Sequence, residues 1–471
     1  MPGRFLRFFR PVARIMPEVR APDKHIGFRE KFLWTGLVIV TYLIMTEVPI
    51  YGAARGPGDP FYAMRVIFAS AQGTLMELGI QPIVTAGLIV QLLATSKIIG
   101  FDNSNAEDRA LLSGVTKLFS ILMTSFIAIA YLLGGSYGML SLEKQIAIFI
   151  QLFMAGLVVI LLDELLQKGW GFGSGISLFI AAGVAQKIFW SLLSPIVFEE
   201  GGIVLGSLIA YIQYILSGKD PLTSFIYRSD PNAPTMLGLV ATIIVFTIVI
   251  VLENLKIDIP ISYAKFRGFG GRYPIKFLYI SNIPVILVSS LFMDIYFVSQ
   301  ILWSRFNMDN SNPWLNWMGV FENNQPTGGL AMYITSPRNF QQFLENPLRA
   351  FIYAGLLIGF CVIFAIIWLE VSGMDPRSVA QQLVDSGMQI SGFRRSVGPI
   401  QNVLERYIPT VTILGALAVG VVASFSDFFG VYGTGMGILL TVGILNQIYQ
   451  AMAREQMMEM FPLVGRLFGK T

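Results

Sequence analysis

The sequence predicts an all-α polytopic membrane protein: ten transmembrane helices in two inverted five-helix halves, with a re-entrant segment ahead of the second span. Three observations carry this. Of the 471 residues, 54% are hydrophobic and only 13% charged, which excludes an ordinary globular enzyme. Apolar runs of about twenty residues, the length a bilayer requires, recur along the whole chain. Lys and Arg gather in alternate connections between those runs, as the positive-inside rule demands.

Residues 1–31 form a basic arm with eight Lys or Arg. Arg4, Arg7, Arg10 and Arg14 alternate there with Phe5, Leu6, Phe8, Phe9, Val12 and Ile15. Two readings fit and both can hold: an amphipathic helix lying against anionic headgroups, or a basic flap that fixes topology. The apolar run 32–50 lacks a small-residue cleavage site in the usual position and reads as a retained first span. The first half, 32–194, continues with spans at 81–96, 113–133, 143–163 and 174–194. The second, 234–453, has spans at 234–254, 279–299, 349–369, 408–425 and 434–453. Between them lies an external connecting segment, 195–233, whose apolar piece 201–216 is too short for an easy span and reads as an interfacial or outside helix.

Ten spans place 1–31, the loops 256–277 and 371–407, and the tail 454–471 on the cytoplasmic side, with both termini. The outward segments 134–142 and 426–433 hold Asp427 but no Lys or Arg. An eleventh span would move two basic loops outside.

The segment 59–76 carries Arg65 and Gln72, with Glu77 just beyond, and is too polar to cross lipid. It runs into Gly79-Ile80-Gln81-Pro82-Ile83-Val84, a Gly/Pro break at the head of an apolar span. Irregular backbone at membrane depth survives only where protein buries it or water lines it. This region therefore faces the axis of a channel or transporter. The break is echoed by Asn282-Ile283-Pro284-Val285-Ile286 in the second half, and Gly173-Ser174-Gly175-Ile176 by Gly433-Thr434-Gly435-Met436. Five spans is an odd number, so the repeats enter the membrane from opposite sides, with the working path where they meet.

The span centres hold almost no charge. Asp163, Glu164, Glu253, Asp294 and Glu370 fall toward span ends, and Lys187 has a stem long enough to snorkel. The carboxylate relay of an ion-coupled pump is missing, and so are the charged rings of a selective ion pore. Polar Thr85, Gln91, Thr124, Ser125, Asn282, Ser289 and Ser290 suit helix seams. The single cysteine, Cys361, reads as packing, and the single histidine, His25, as a surface group. No catalytic, cofactor or metal site emerges. The alternative function is an inverted-repeat secondary transporter or flippase for a small or lipidic substrate. It requires a central polar or charged site, which the sequence does not supply.

The loop 256–277 combines Lys265, Arg267, Arg272 and Lys276 with aromatic residues and a glycine-rich tip. The loop 371–407 contains Ser391-Gly392-Phe393-Arg394-Arg395. Cations beside aromatics suit phosphate backbones and unstacked bases. A role in topology alone needs only a short loop. Gly268-Phe269-Gly270-Gly271 has no strand–helix unit around it, so it is not a dinucleotide fingerprint.

These residues resemble the SecY family, the large channel subunit of the protein translocon, in its archaeal form and its eukaryotic alpha-subunit counterpart. The resemblance is carried by Gly73-Thr74-Leu75-Met76-Glu77-Leu78-Gly79-Ile80-Gln81-Pro82, by Gly171-Phe172-Gly173-Ser174-Gly175-Ile176-Ser177-Leu178, and by Gly392-Phe393-Arg394 and Arg406-Tyr407-Ile408-Pro409. It implies a protein-conducting channel that passes unfolded secretory polypeptides and releases hydrophobic segments sideways into lipid, with the halves hinged between the fifth and sixth spans. It implies an apolar constriction from Ile80, Val84, Ile176, Ile180, Ile286 and Leu440, the last with Leu439 beside it, and a plug at 56–69. A lateral gate has Thr85 and Asn282 as its polar seam. Implied partners are a small single-span SecE-type subunit, a small beta-type subunit, signal peptides and nascent chains, membrane lipid, and the ribosome. The ribosome is held through rRNA by Lys265, Arg267, Arg272, Arg394 and Arg395. No cofactor is implied, any nucleotide hydrolysis comes from a partner, and the site is the cell membrane.

Overall fold

Among the described residues, ten helices of 15 to 32 residues overlap the ten predicted spans. The computed structural model describes residues 16–24, 26–53, 62–95, 106–133, 137, 140–199, 202–230, 233–263, 270–280, 283–322, 325–337, 339–386, 388–390 and 396–460. In chain order come α1 (Phe28–Glu47), the short α2 (Tyr62–Ile67), α3 (Gln81–Thr95), α4 (Ala106–Leu133) and α5 (Leu142–Leu165), which ends in a π turn, and α6 (Gly175–Leu193). Strands β1 (Val197–Glu199) and β2 (Ile203–Val204) precede α7 (Ser207–Leu216), α8 (Pro221–Ile226) and α9 (Met236–Asn254). Then follow β3 (Lys256–Tyr263), β4 (Gly270–Lys276), α10 (Ile283–Phe306), α11 (Pro313–Met318), β5 (Val320–Glu322), β6 (Gln325–Gly328) and α12 (Gly329–Tyr333). The chain closes with α13 (Phe340–Glu345), α14 (Pro347–Val371), α15 (Pro376–Asp385), β7 (Met388–Ile390), α16 (Val397–Phe428) and α17 (Gly435–Met460).

Among the described residues, eight helices are long and apolar enough to cross a membrane, and Gln81–Ala94 is a shorter apolar helix. The residues predicted as a short interfacial or outside piece form α7, ten residues long. At 1.5 Å per residue that is about 15 Å, half a hydrocarbon core. One expectation needs correcting. Asp294 lies at the middle of α10, not toward a span end, because the helix runs on to Phe306. Its second half is held by aromatic contacts, Tyr296 and Trp303 each meeting Phe321 at ring distances of 5.4 and 5.5 Å. His25, the arm at 4–15 and the first residues of the expected plug, 56–61, lie outside the described residues.

The chain divides into two compact units, each discontinuous in sequence. The first comprises Met1–Lys187, Phe292–Thr335 and Ile444–Thr471. Its helices approach closely where small residues permit, the usual device of packing within lipid. A Cβ on Gly183 would stand 2.6 Å from the Tyr42 hydroxyl. That hydroxyl donates to the Ala69 carbonyl (3.3 Å) while its ring stacks on Phe179 at 5.0 Å. The chain before α1 is strapped down as well. Val19 N–H donates to Glu164 (3.3 Å), Trp170 Nε1 to the Arg20 carbonyl (2.8 Å), and Lys168 pairs with Glu18.

The second unit comprises Ile188–Leu291 and Ser336–Gly443. Here α14 crosses α16 at Gly420, where a Cβ would lie 3.0 Å from Ile358, and Cys361 is fully buried as packing. At 32 residues α16 is about 48 Å long, so it outruns the bilayer. Its early residues Ile400, Leu404 and Ile408 pack instead with Ile259 and Ile275 of the β3–β4 hairpin and with Val379, Ala380 and Leu383 of α15. The apolar cluster gives both loops one shared core.

Candidate functional site

The predicted constriction residues share one structural address: each lies just before or within the first turns of a span helix. Ile80 immediately precedes α3 and is buried, its N–H donating to the Phe68 carbonyl (2.8 Å). Val84, half-buried, closes the next turn by donating to the Ile80 carbonyl (3.1 Å). Ile176 and Ile180 stand at the start of α6, the first half-buried and the second buried. Ile286 is half-buried in the first turn of α10, and Leu440 and Leu439 are both buried near the start of α17. Ile80/Val84 and Ile176/Ile180 are i,i+4 pairs, so each pair occupies one helix face.

Two carboxylates that the sequence reading left unassigned organise two of these helix starts, those of α6 and α17. Asp163, near the end of α5, accepts from Ile176 N–H (3.1 Å) and from the Ser174 hydroxyl (3.2 Å). Its other oxygen takes Gln167 Nε2 at 2.8 Å. Asp427, near the end of α16, accepts from Gly435 N–H (3.3 Å) and from the Tyr353 hydroxyl (3.2 Å). Each carboxylate satisfies an orphan donor at the N-terminus of the following span. The flanking glycines match too: Gly173 and Gly433 have φ of 72° and 74°, which favours glycine. A Cβ on Gly175 would stand 2.6 Å from Asp163 Cα, and one on Gly435 would meet the Ser426 side chain. The internal repeat thus extends from sequence to capping chemistry.

The half-polar segment before α3 is folded, not frayed. Arg65, at the end of α2, is buried and donates to Glu77 across 2.6 Å, with a second bond to the Glu77 carbonyl at 3.3 Å. The Glu77 carboxylate also takes Gly73 N–H. Two charges are therefore buried as a pair, the condition under which burial is tolerable. Gly79, at φ 55°, turns the chain beneath them, and a Cβ there would overlap the Phe68 carbonyl oxygen.

Of the polar seam residues, Thr85 is placed on α3, and its hydroxyl oxygen is shielded from solvent without a hydrogen-bond partner among the described residues. Asn282 lies outside the described residues. A cavity of about 440 Å³ within the first unit is bordered by Ile83 and Gly87 of α3, by Ile176, and by the Lys117–Glu164 ion pair (2.6 Å).

The two basic loops meet in one sheet of order β4-β3-β7. β3 pairs with β4 from Lys256↔Lys276 to Ser262↔Gly270, and with β7 through Ile261↔Ile390 and Tyr263↔Met388. Arg272 projects into solvent 3.6 Å from Asp258, and Lys276 lies 3.6 Å from Glu253. Lys265, Arg267, Arg394 and Arg395 lie outside the described residues. Tyr279, packed beneath the sheet, donates to the Met374 carbonyl (3.1 Å).

Apolar pairs at helix starts, a short helix folded back before one of them, and a platform of two joined loops define a polytopic membrane protein of channel type. Family comparison agrees: residues 74–449 match the SecY model, and residues 40–73 match the plug domain of Sec61p. The protein translocase subunit SecY of Pyrococcus horikoshii is 43% identical over 465 residues, covering 96% of this chain and 97% of that protein. A solved structure described as "the structure of a protein conducting channel" superposes with a TM-score of 0.81 at 37% identity, covering 96% of this chain and 98% of the other. Sec61 in the canine ribosome-channel complex from the endoplasmic reticulum gives a TM-score of 0.78, also at 37% identity, covering 96% and 97%. The chain belongs to the SecY family.

Proposed function

We infer that this chain is the channel-forming subunit of a protein translocase, passing unfolded polypeptides across the membrane and releasing hydrophobic segments into lipid. Its resemblance to translocase subunits and protein-conducting channels over 96% of its length carries the reading. The reading includes a mechanism. Ile80, Val84, Ile176, Ile180, Ile286 and Leu440 form the constriction. Branched alkyl groups close a narrow neck by excluding water and offer no fixed charge to hold a passing chain. The segment 56–69 acts as the plug, and the Arg65–Glu77 pair ties its end to the turn before α3. Thr85 and Asn282 form the polar seam of the lateral gate; the unpartnered Thr85 hydroxyl supports this, because a shielded hydroxyl calls for a partner.

The loop platform docks the ribosome, with Lys265, Arg267, Arg272, Arg394 and Arg395 meeting rRNA phosphates. The shared sheet supports this, since it makes one rigid base for two separate basic segments. The relative seen in a ribosome-channel complex supports it further. A SecE-type single-span subunit and a beta-type subunit complete the complex, both termini lie in the cytoplasm, and signal peptides engage the gate. The function is tested by reconstituting the purified complex into vesicles with ribosomes carrying a signal-bearing nascent chain. Protease-protected product is expected. Product fully accessible to protease, with the complex intact and ribosomes bound, contradicts the reading.

A further inference from the structure

Between the fifth and sixth spans, α7 turns an almost wholly apolar face outward. Its inward positions are Ser207, Ala210 and Tyr214, and its outward ones include Ile212, Ile215 and Leu216, the last 82% exposed. The one amide on the helix, Gln213, is used internally, accepting from Val204 N–H at 3.1 Å. A helix washed by water carries polar residues on its outer face. This one carries none there but Tyr211, and the adjoining α8 adds Leu222, 72% exposed.

The depth of α7 is fixed by its neighbours. Gly206, its N-cap, lies against the end of α6, where a Cβ would meet Ser194 N at 2.6 Å, and Gly206 N–H donates to the Ser194 carbonyl (3.0 Å). The buried guanidinium of Arg228 donates to the carbonyls of Val204 (2.7 Å) and Leu205 (2.7 Å), just before α7, and of Pro234 (3.1 Å), just before α9. So α7 starts at the level where α6 stops and α9 begins. Those helices have 19 residues each, about 28 Å, which matches the hydrocarbon thickness. Their exposed side chains at that end, Leu193 and Val240, are apolar and continue the surface of α7. Beyond it stand Lys219, its ammonium 4.3 Å from the Tyr214 ring centroid, and Asp220. That is the grading from alkyl to charge expected across a headgroup boundary.

We propose that α7, with Leu222 of α8, lies embedded in the membrane interface, its outward face in the acyl chains of the leaflet where α6 ends. Arg228 acts as the positioning residue that holds this outrigger level with two span ends. It gives the second unit a lateral grip on the bilayer beside the connection between the fifth and sixth spans.

The test uses the full-length protein in phosphatidylcholine vesicles, together with any subunits that co-purify. The native Cys361 is buried, so Leu216→Cys and, separately, Ser229→Cys, at an exposed position in the connection between α8 and α9, accept an environment-sensitive fluorophore. The expected result is blue-shifted emission at position 216, quenched several-fold more by a nitroxide high on the acyl chain than by aqueous iodide. Position 229 should give the reverse order. Iodide quenching at 216 equal to that at 229 overturns the proposal, because the face is then in water. Blue-shifted emission that neither agent quenches also overturns it, because another protein chain then covers the face. Leu208→Cys, on the same outward stripe, repeats the reading independently of Leu216.

Discussion

Glu77→Ala should release the segment that precedes the second span. The carboxylate and the Arg65 guanidinium stand 2.6 Å apart, their side chains only 2% and 4% exposed. Removing one partner of such a pair leaves an uncompensated buried charge and costs about 3–5 kcal/mol. At about 1.4 kcal/mol per tenfold change, local opening should become more frequent by roughly a hundred- to several-thousand-fold. The reporters are amides that the fold protects here: Ser70 N–H, bonded to the Arg65 carbonyl at 2.8 Å, and Ile80 N–H, bonded to the Phe68 carbonyl at 2.8 Å. Hydrogen exchange followed by mass spectrometry should show both accelerating by that factor, with little change at α14 or α16. The double variant Arg65→Met/Glu77→Leu should recover most of the protection, because apolar groups of similar volume leave no unpaired charge. Unchanged exchange in Glu77→Ala would show that the pair does not hold the segment. Exchange in the double variant as fast as in the single one would show that charge burial is not the cause.

Three further outcomes follow from other elements. Replacing Lys265, Arg267, Arg394 and Arg395 with Glu should lower ribosome affinity by at least about tenfold at moderate salt and flatten its salt dependence, since phosphate contacts act through counterion release; co-sedimentation at graded salt checks this. Asn282→Leu should shift the threshold hydrophobicity at which a test segment partitions into lipid, measured by glycosylation mapping over graded Leu/Ala segments; an unmoved threshold removes Asn282 from the gate. The strap ahead of α1 should loosen in acid. The hydrogen bond and charge of Lys168 hold the Glu18 carboxyl below its ordinary value. A carboxyl depressed in the folded state stabilises above its unfolded pKa, about 4.3. That stabilisation is lost as pH falls through the lower folded value. Proteolysis near residues 16–20 should therefore rise below about pH 4, and Glu18→Gln should show the same rise at neutral pH.

Hydropathy made the membrane-spanning fold legible because each span needs about twenty apolar residues whatever its neighbours do. The short α7 was legible for the same reason, by failing that length. The loop sheet was less visible, although Lys256-Ile257-Asp258-Ile259-Pro260-Ile261-Ser262 alternates polar and apolar residues with the period of a strand. Its partner β7 is three residues long and lies more than a hundred positions away, so no local pattern announces the pairing. The carboxylates Asp163 and Asp427 were visible as span-end charges, but their capping of the next helix depends on a chain reversal that sequence does not display. Arg65 and Glu77 read as polar interruptions. Their burial as a pair depends on the turn at Gly79, which brings residues twelve apart into contact. The proposed constriction residues rest on motif resemblance, since an isoleucine at a helix start looks locally like any other core residue.

The central claim is that branched apolar side chains at the starts of four helices seal a protein-conducting channel. Planar-bilayer conductance of the purified complex carrying Ile80→Ser, Ile176→Ser and Ile286→Ser, compared with the parent, tests it most directly. Hydroxyls give water hydrogen-bond partners that alkyl groups do not, so the neck should hydrate and the resting ion current should rise well above that of the parent. A triple variant that assembles normally and conducts no more than the parent would contradict the claim, and would assign these three residues to packing or lipid contact.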